Sequence, residues 1–200
     1  MLRFSPILAA MLLCGCSTMS AEREAAHAAS AQGVDTPTRA SALSAARGAF
    51  RMADGHHYGS MAMVRQAADG SLQLVVTMLE FPQGIYGMHI HAVGRCDAPG
   101  FTSAGPHWNP TLRQHGRLNP SGAHSGDMPN LTVSERGIAY AEMPLRGELT
   151  GEGGLLDADG AAVVIHASAD DERTDPSGNS GTRIACAVLT LRGQPEEPAQ

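Results

Sequence analysis

Five of the chain's nine histidines lie within residues 87–127, and they fall in two different sequence contexts. The first two lie in a short apolar pattern that is typical of a strand, whereas the other three lie in a stretch without hydrophobic periodicity. That stretch, residues 93–130, is a predicted loop of nearly forty residues, far longer than compact domains normally contain without a special reason. Bound metal and a disulfide would supply that reason.

The histidine spacing predicts a two-metal site. His89 and His91 flank Ile90, so a strand places both imidazoles on one face, where they can chelate one ion. Taken alone, this pair is a weak signal, because such histidines are often surface or structural residues, and the same holds for His166 in a later apolar strand. The loop group is sharper, since three imidazoles and one carboxylate form an N3O set suited to tetrahedral zinc. Its members are His107, His115, His124 and Asp127.

The rest of the chain predicts an all-β domain. Aromatic residues make up only 4% of the chain, Gly (23) and Pro (12) are frequent, and short apolar runs alternate with polar residues. Asp54-Gly55 and Asp69-Gly70 supply the positive φ of tight turns, so the first three strands should form an antiparallel meander. The predicted strands are 49–52, 58–66, 72–80, 85–92, 131–133, 137–143, 161–167 and 182–191.

The first sixteen residues read as an export signal. Arg3 precedes a short apolar run, residues 7–13, which is too short to span a bilayer permanently. The end of this run, Leu13-Cys14-Gly15-Cys16, resembles the bacterial lipoprotein processing box, in which Cys16 would be acylated. An ordinary signal peptide cleaved near Ala21 is the alternative. Acylation would hold the protein on a membrane surface, so we expect a membrane-anchored lipoprotein on the periplasmic side of the cell envelope.

The remaining boundaries follow from composition and cysteine content. Residues 17–46 are rich in Ala and Ser and predict a flexible tether, 47–193 form the domain, and 194–200 form a polar tail. Removal of the signal leaves Cys96 and Cys186, which export allows to form a disulfide; two free thiols are the alternative. The chain has 14 basic residues against 20 acidic ones, with no basic stripe, which argues against a nucleic-acid partner.

Five segments together resemble copper,zinc superoxide dismutase in its exported bacterial form, in the family's order. They are GMHIH (87–91), SAGPHWNP (103–110), HSGD (124–127), VIH (164–166) and GNSGTRIAC (178–186). The resemblance implies an eight-stranded antiparallel Greek-key β-barrel with a long metal-binding loop. It also implies one copper and one zinc per chain, and a homodimer is one assembly that it allows.

The resemblance assigns a role to each candidate residue. The implied copper ligands are His89, His91, His107 and His166. The implied zinc ligands are His107, His115, His124 and Asp127, so His107 would bridge the two metals. Asp170 matches a carboxylate that accepts hydrogen bonds from His89 and His115, and Arg183 matches an arginine that orients a small anion beside copper. The implied reaction converts superoxide to O2 and hydrogen peroxide, with His107 releasing and regaining its bridge.

Two features depart from the family pattern. Only 16 residues separate His166 from Arg183, and they include four acidic residues against the single Arg173, so long-range guidance of the anion should be weak. Residues 97–101 form an insertion that should lengthen the loop without touching ligands.

Two other functions fit some of these features. One is an exported copper- or zinc-binding module without turnover, and the other is a dizinc hydrolase. The complete ligand set with Arg183 argues against the first, and the presence of one carboxylate beside six histidines argues against the second.

Overall fold

The computed structural model describes residues 43–194, which contain ten β-strands and one turn of 3-10 helix, Thr102–Ala104. The predicted export signal with Cys16, the predicted tether up to residue 42 and residues 195–200 of the predicted tail lie outside the described residues. The strands are β1 (Leu43–Ala49), β2 (Arg51–Met52), β3 (Met61–Gln66), β4 (Leu72–Met78), β5 (Gly84–Tyr86), β6 (Met88–His91), β7 (Leu131–Val133), β8 (Ala139–Leu145), β9 (Ala161–His166) and β10 (Arg183–Leu191). Within the described part of the chain, no helix is long and apolar enough to cross a bilayer.

The strands form one large antiparallel sheet and one small one. The eight-stranded sheet has the order β6-β9-β10-β1-β3-β4-β8, with β2 paired to β10, and β5 pairs with β7 in a two-stranded sheet. The small sheet links the two edges of the large one through the chain, because β5 leads into β6 and β7 leads into β8. The predicted all-β Greek-key barrel is confirmed.

Two apolar clusters stabilise the sheet. In β4, Leu74 and Val76 are fully buried in the main core, whereas the intervening Val75 and the exposed Gln73 face the other way. β9 is buried along its whole length, because a second cluster covers the face that points away from the main core. This small cluster comprises Phe101, Ala104, Ala162, Val164 and Cys186. It holds part of the long loop against β9 and β10.

β1 begins earlier than the sequence predicts. It starts at Leu43, before the predicted domain boundary at residue 47, so residues 43–46 of the predicted tether are part of a strand. β1 lies between β10 and β3 in the sheet, and Ala46 within it is fully buried. At Gly48, a Cβ atom would collide with the Val188 carbonyl, so only a residue without a side chain fits this position.

The other predicted elements agree with the structure in different degrees. β7 has the predicted bounds, and Gly55 and Gly70 adopt φ angles of 85° and 86° in the predicted turns. The predicted strand 85–92 is divided at Gly87, which separates β5 in one sheet from β6 in the other. Residues 93–130 contain no strand, and the long loop is confirmed.

Candidate metal centre

Four histidines form the first donor group, and three of them lie on strands. His89 and His91 lie on β6, His166 ends the neighbouring β9, and His107 reaches the group from the loop. One ring nitrogen from each histidine lies within 4.8 Å of those of the others, and all four side chains are buried. Because β6 and β9 pair directly, the sheet itself fixes the positions of three of these rings.

Each strand histidine has one nitrogen held by a hydrogen bond and one left free. His89 Nε2 contacts Asp170 Oδ2 at 2.7 Å, His91 Nδ1 donates to the Gly105 carbonyl at 2.8 Å, and His166 Nδ1 donates to the Gly181 carbonyl at 3.1 Å. The opposite nitrogens have no hydrogen-bond partner within residues 43–194, although they are buried. They are His89 Nδ1, His91 Nε2 and His166 Nε2. Buried nitrogens without partners are costly, and such a set of imidazole lone pairs fits copper.

The second donor group is built on the loop from His107, His115, His124 and Asp127. Asp127 Oδ1 lies 2.9 Å from His107 Nδ1, 3.0 Å from His115 Nδ1 and 3.1 Å from His124 Nδ1. His124 Nδ1 also lies 3.2 Å from His107 Nδ1. Tetrahedral zinc with bonds near 2 Å requires donors about 3.3 Å apart, so this spacing fits zinc.

The carboxylate of Asp127 is oriented by the loop backbone. Its Oδ2 accepts hydrogen bonds from the backbone N–H of Gly116 at 2.8 Å and of His124 at 3.0 Å. Oδ1 is therefore the oxygen that faces the three imidazoles.

The two donor groups differ in their electrostatics. Burial lowers the pKa of His89 to about 3, that of His91 to about 2 and that of His166 to about 4. These rings are neutral near pH 7, which is the form that binds metal. Burial opposes charge on His115, but its hydrogen bonds to Asp127 and Asp170 raise its pKa to about 9. Metal binding in the second group therefore has to displace a proton.

Asp170 contacts one histidine of each donor group. Its Oδ2 lies 2.7 Å from His89 Nε2, and its Oδ1 lies 3.1 Å from His115 Nε2. Asn130 fixes the Asp170 backbone in both directions, accepting from its N–H at 2.7 Å and donating to its carbonyl at 2.8 Å. Asp170 and His107 therefore both connect the two groups.

Arg183 lies at the start of β10 beside the first donor group. It donates through Nη1 to the Phe101 carbonyl at 2.7 Å and through Nη2 to the Gly105 carbonyl at 2.8 Å. It also lines an open cleft of about 790 Å³ together with His91, His107 and His166. A small anion that enters this cleft meets a fixed guanidinium next to the first donor group.

The loop is attached to the free edge of β6 and to β10. Backbone hydrogen bonds run from Trp108 N to the Ile90 carbonyl at 2.8 Å and from Ile90 N to the Gly126 carbonyl at 2.9 Å. The predicted disulfide between Cys96 and Cys186 is confirmed, with a Cα–Cα distance of 5.7 Å. These attachments bring the loop donors next to the strand donors.

Residues 36–189 match the family model described as copper/zinc superoxide dismutase. The chain belongs to this family. Copper and zinc are the metals of copper/zinc superoxide dismutases, and the two buried donor groups have the chemistry to hold them.

Named relatives and solved structures agree with this assignment. A copper-zinc superoxide dismutase from Caulobacter vibrioides is 40% identical over 149 residues, covering 65% of this chain and 85% of the relative. One from Aquifex aeolicus is 43% identical over 112 residues, covering 54% of this chain and 66% of the relative, so the match spans just under two thirds of that protein. The crystal structure of a SOD-like protein from Bacillus subtilis has a TM-score of 0.67 and 35% identity, and covers 72% of this chain and 97% of that one.

The structure brings all the predicted donors together with Asp170 and Arg183, whereas Cys16 lies outside the described residues. Sequence reasoning missed the groups that hold them, namely the carbonyls of Phe101, Gly105 and Gly181 and the side chain of Asn130. Backbone carbonyls carry no side-chain signal, so they could not be found from residue types. Asn130 does carry a signal, since it is a polar residue at the point where the loop returns to a strand.

Proposed function

We propose that this protein dismutates superoxide to O2 and hydrogen peroxide, with copper in the first donor group and zinc in the second. The observation that supports this best is the position of His107, which is a member of both buried groups. Its Nδ1 faces Asp127 and His124, so Nε2 lies on the opposite edge of the ring. His107 would thus help to hold both metals, with Nδ1 directed toward the second donor group and Nε2 on the other side of the ring.

Copper, when bound, would exchange one electron with each of two superoxide anions, while zinc, with its filled d shell, would take no part in electron transfer. Arg183 would attract and orient the anion through the guanidinium N–H groups that do not donate to Phe101 and Gly105. While its Nε2 is not bound to copper, His107 would hold a proton at that nitrogen, and it would give this proton to the product. Two superoxide anions and two protons then yield one O2 and one hydrogen peroxide, with the second proton coming from solvent.

An inactive metal-binding module is the second candidate, because one structural relative is described only as SOD-like. A solved double mutant of that relative carries histidines in place of a tyrosine and a proline. In the present chain, all seven donor residues and Arg183 lie at one site. That complete set favours an active enzyme over an inactive metal-binding module.

Metal content and turnover, measured on the same purified protein, test these proposals. We expect one copper and one zinc per chain with rapid loss of superoxide. Metal without turnover would support the inactive module, and two zincs with ester or phosphate cleavage would support the hydrolase. Light scattering would distinguish a homodimer from a monomer.

We further propose that the mature protein is a lipoprotein of the cell envelope, anchored on the periplasmic side through Cys16. The processing box around Cys16 and the disulfide within the domain support export to an oxidising compartment. Growth with a radioactive fatty acid should label the protein, and the Cys16→Ser variant should remain unlabelled. An unlabelled wild-type protein would refute lipidation.

A further inference from the structure

Phe101 has an unusual backbone for a large buried residue. Its φ of 51° and ψ of 25° lie in the left-handed region, which residues with a Cβ rarely adopt, and its side chain is fully buried. Such a conformation persists only where the surrounding structure fixes it, and such residues are often found at functional sites. Phe101 caps the 3-10 turn Thr102–Ala104 at its N-terminus, within the loop that carries His107.

The turn that follows Phe101 holds Arg183 and a donor histidine together. The Phe101 carbonyl accepts hydrogen bonds from Arg183 Nη1 at 2.7 Å and from the backbone of Ala104 at 3.2 Å. At the other end of the turn, the Gly105 carbonyl accepts from both Arg183 Nη2 and His91 Nδ1, each at 2.8 Å. The guanidinium is therefore positioned relative to His91 by two carbonyls of one short turn.

The ring of Phe101 attaches this turn to the sheet. It packs in the small cluster with Ala104, Ala162, Val164 and Cys186, apart from the main core. It is the largest side chain of that cluster, and the others come from the turn itself and from β9 and β10. Loss of the ring would leave the turn without its main apolar contact, while the main core would stay filled.

We propose that Phe101 is the positioning residue for Arg183. Its buried ring fixes the left-handed backbone, the backbone fixes the carbonyl, and the carbonyl aims the guanidinium at an anion in the cleft. An arginine side chain has many rotamers, so a guanidinium that loses one of two fixed acceptors spends less time in the productive orientation. This inference rests on the proposed function, because it assumes that an anion binds beside copper in the first donor group.

Azide is a suitable probe, because it is a small anion whose binding to the copper- and zinc-loaded protein can be followed by absorption without turnover. We expect Phe101→Ala to raise the azide Kd about tenfold with copper and zinc content unchanged, because the Arg183 guanidinium is no longer held in place. Phe101→Leu, which keeps an apolar anchor, should restore most of the affinity. Phe50→Ala removes a ring of the same size from the main core and should leave the azide Kd unchanged.

A double-mutant cycle decides whether Phe101 acts through Arg183. In an Arg183→Ala background, Phe101→Ala should have no further effect on the azide Kd. An unchanged Kd in Phe101→Ala, or effects that multiply in the double variant, would overturn the inference. If Phe101→Ala does not fold, Phe101→Leu gives the same cycle with a smaller effect, about twofold. A wild-type protein that binds copper and azide but does not turn over superoxide would refute the proposed function and leave this test readable.

Discussion

The two donor groups meet at His107 but are built from different kinds of structure. His89, His91 and His166 lie on paired strands that belong to the main sheet. His107, His115, His124 and Asp127 lie on a loop that has no strand of its own and is held by backbone contacts to β6 and by the disulfide to β10. The sheet can orient its three rings without metal, whereas the loop brings three imidazole nitrogens together around a single oxygen of Asp127.

This difference separates a preformed site from one that metal has to complete. In the first donor group, the strand group, hydrogen bonds to backbone carbonyls and to Asp170 hold one nitrogen of each strand histidine and leave the other three nitrogens neutral and free. In the second donor group, the loop group, Nδ1 of His107 and Nδ1 of His124 face each other at 3.2 Å, and a cation is the natural partner for both.

Removal of His107 tests the point at which the two regions join. We expect His107→Ala to lower turnover at least about 100-fold, because a proton donor and a donor atom to both metals are lost together. Some copper and some zinc should remain bound, since each group keeps three other donors. The exposed His56 provides the control, and His56→Ala should retain full activity. A His107→Ala protein with near-normal turnover would show that the two groups are not coupled through this ring.

Removal of Asp127 should affect the loop far more than the sheet. Asp127→Ala takes away the carboxylate that contacts three histidines, so zinc affinity should fall at least about 100-fold. Hydrogen exchange should then rise across residues 105–127 and stay low in β6 and β9. His166→Ala is the matched variant, because it should weaken copper binding without raising exchange in the loop. Equal exchange in both variants would show that the loop does not depend on zinc more than the sheet does.

Reduction of the disulfide should destabilise the protein without removing any donor. The bridge spans 90 residues, and its loss should lower the free energy of unfolding by about 4.6 kcal/mol in the chain-entropy model. Denaturant melts with and without a reductant measure this change. The Cys96→Ala variant lacks the bridge already and should not respond to the reductant, and a wild-type protein that also fails to respond would contradict the prediction.

Acid should destabilise the metal-free protein through the strand group. The folded pKa values of His89 (about 3), His91 (about 2) and His166 (about 4) lie below the ordinary value of 6.5, so the unfolded chain binds more protons below that pH. Stability should therefore fall below pH 6.5, by about 1 kcal/mol per pH unit for each histidine. Replacement of His166 by Gln should make the slope shallower. A flat profile between pH 6.5 and 4 would contradict neutral burial of these rings.

The opposite sign is expected for His115 of the second donor group. The pKa of His115 is raised to about 9, so its contribution to the stability of the metal-free protein is full below pH 6.5 and is lost as the pH rises through 9.

Salt should have the smallest effect on turnover. The carboxylates of the acidic loop before Arg183 accept hydrogen bonds that hold the loop together. Asp171 accepts hydrogen bonds from Thr174 and Asn179, and Asp175 accepts one from the backbone of His115. These contacts order the loop and supply no positive field to guide an anion. We expect kcat/KM to change less than about twofold between low and physiological ionic strength. A steep fall would show that other charges steer the substrate.

The sequence was sufficient for the donors and for most strands, but not for the elements made of small residues. β7 and the long loop follow from apolar runs and from their absence, and the donors follow from histidine spacing and the resemblance. β1 was predicted too late because its Ala and Gly residues look like those of a linker. Packing explains the composition, since β1 lies between two strands so closely that Gly48 has no room for a side chain.

The hydrogen-bond acceptors that hold the site residues could not be predicted from the sequence either. Gly105 binds His91 and Arg183 through one backbone oxygen, and any residue type offers such an oxygen. Its role depends on where the turn places that carbonyl, which is set by the burial of Phe101 and by the left-handed φ of 73° at Gly105 itself.

Asp170 makes the binding of each metal depend on the other, because its carboxylate contacts a histidine of each donor group. One carboxylate orients a ring that faces the strand site and a ring that faces the loop site, so an ion that fixes either ring also steadies the other. Affinities linked in this way are reciprocal: any factor by which zinc strengthens copper binding is also the factor by which copper strengthens zinc binding. A cell that is short of one metal would then obtain a protein that also holds the other more loosely.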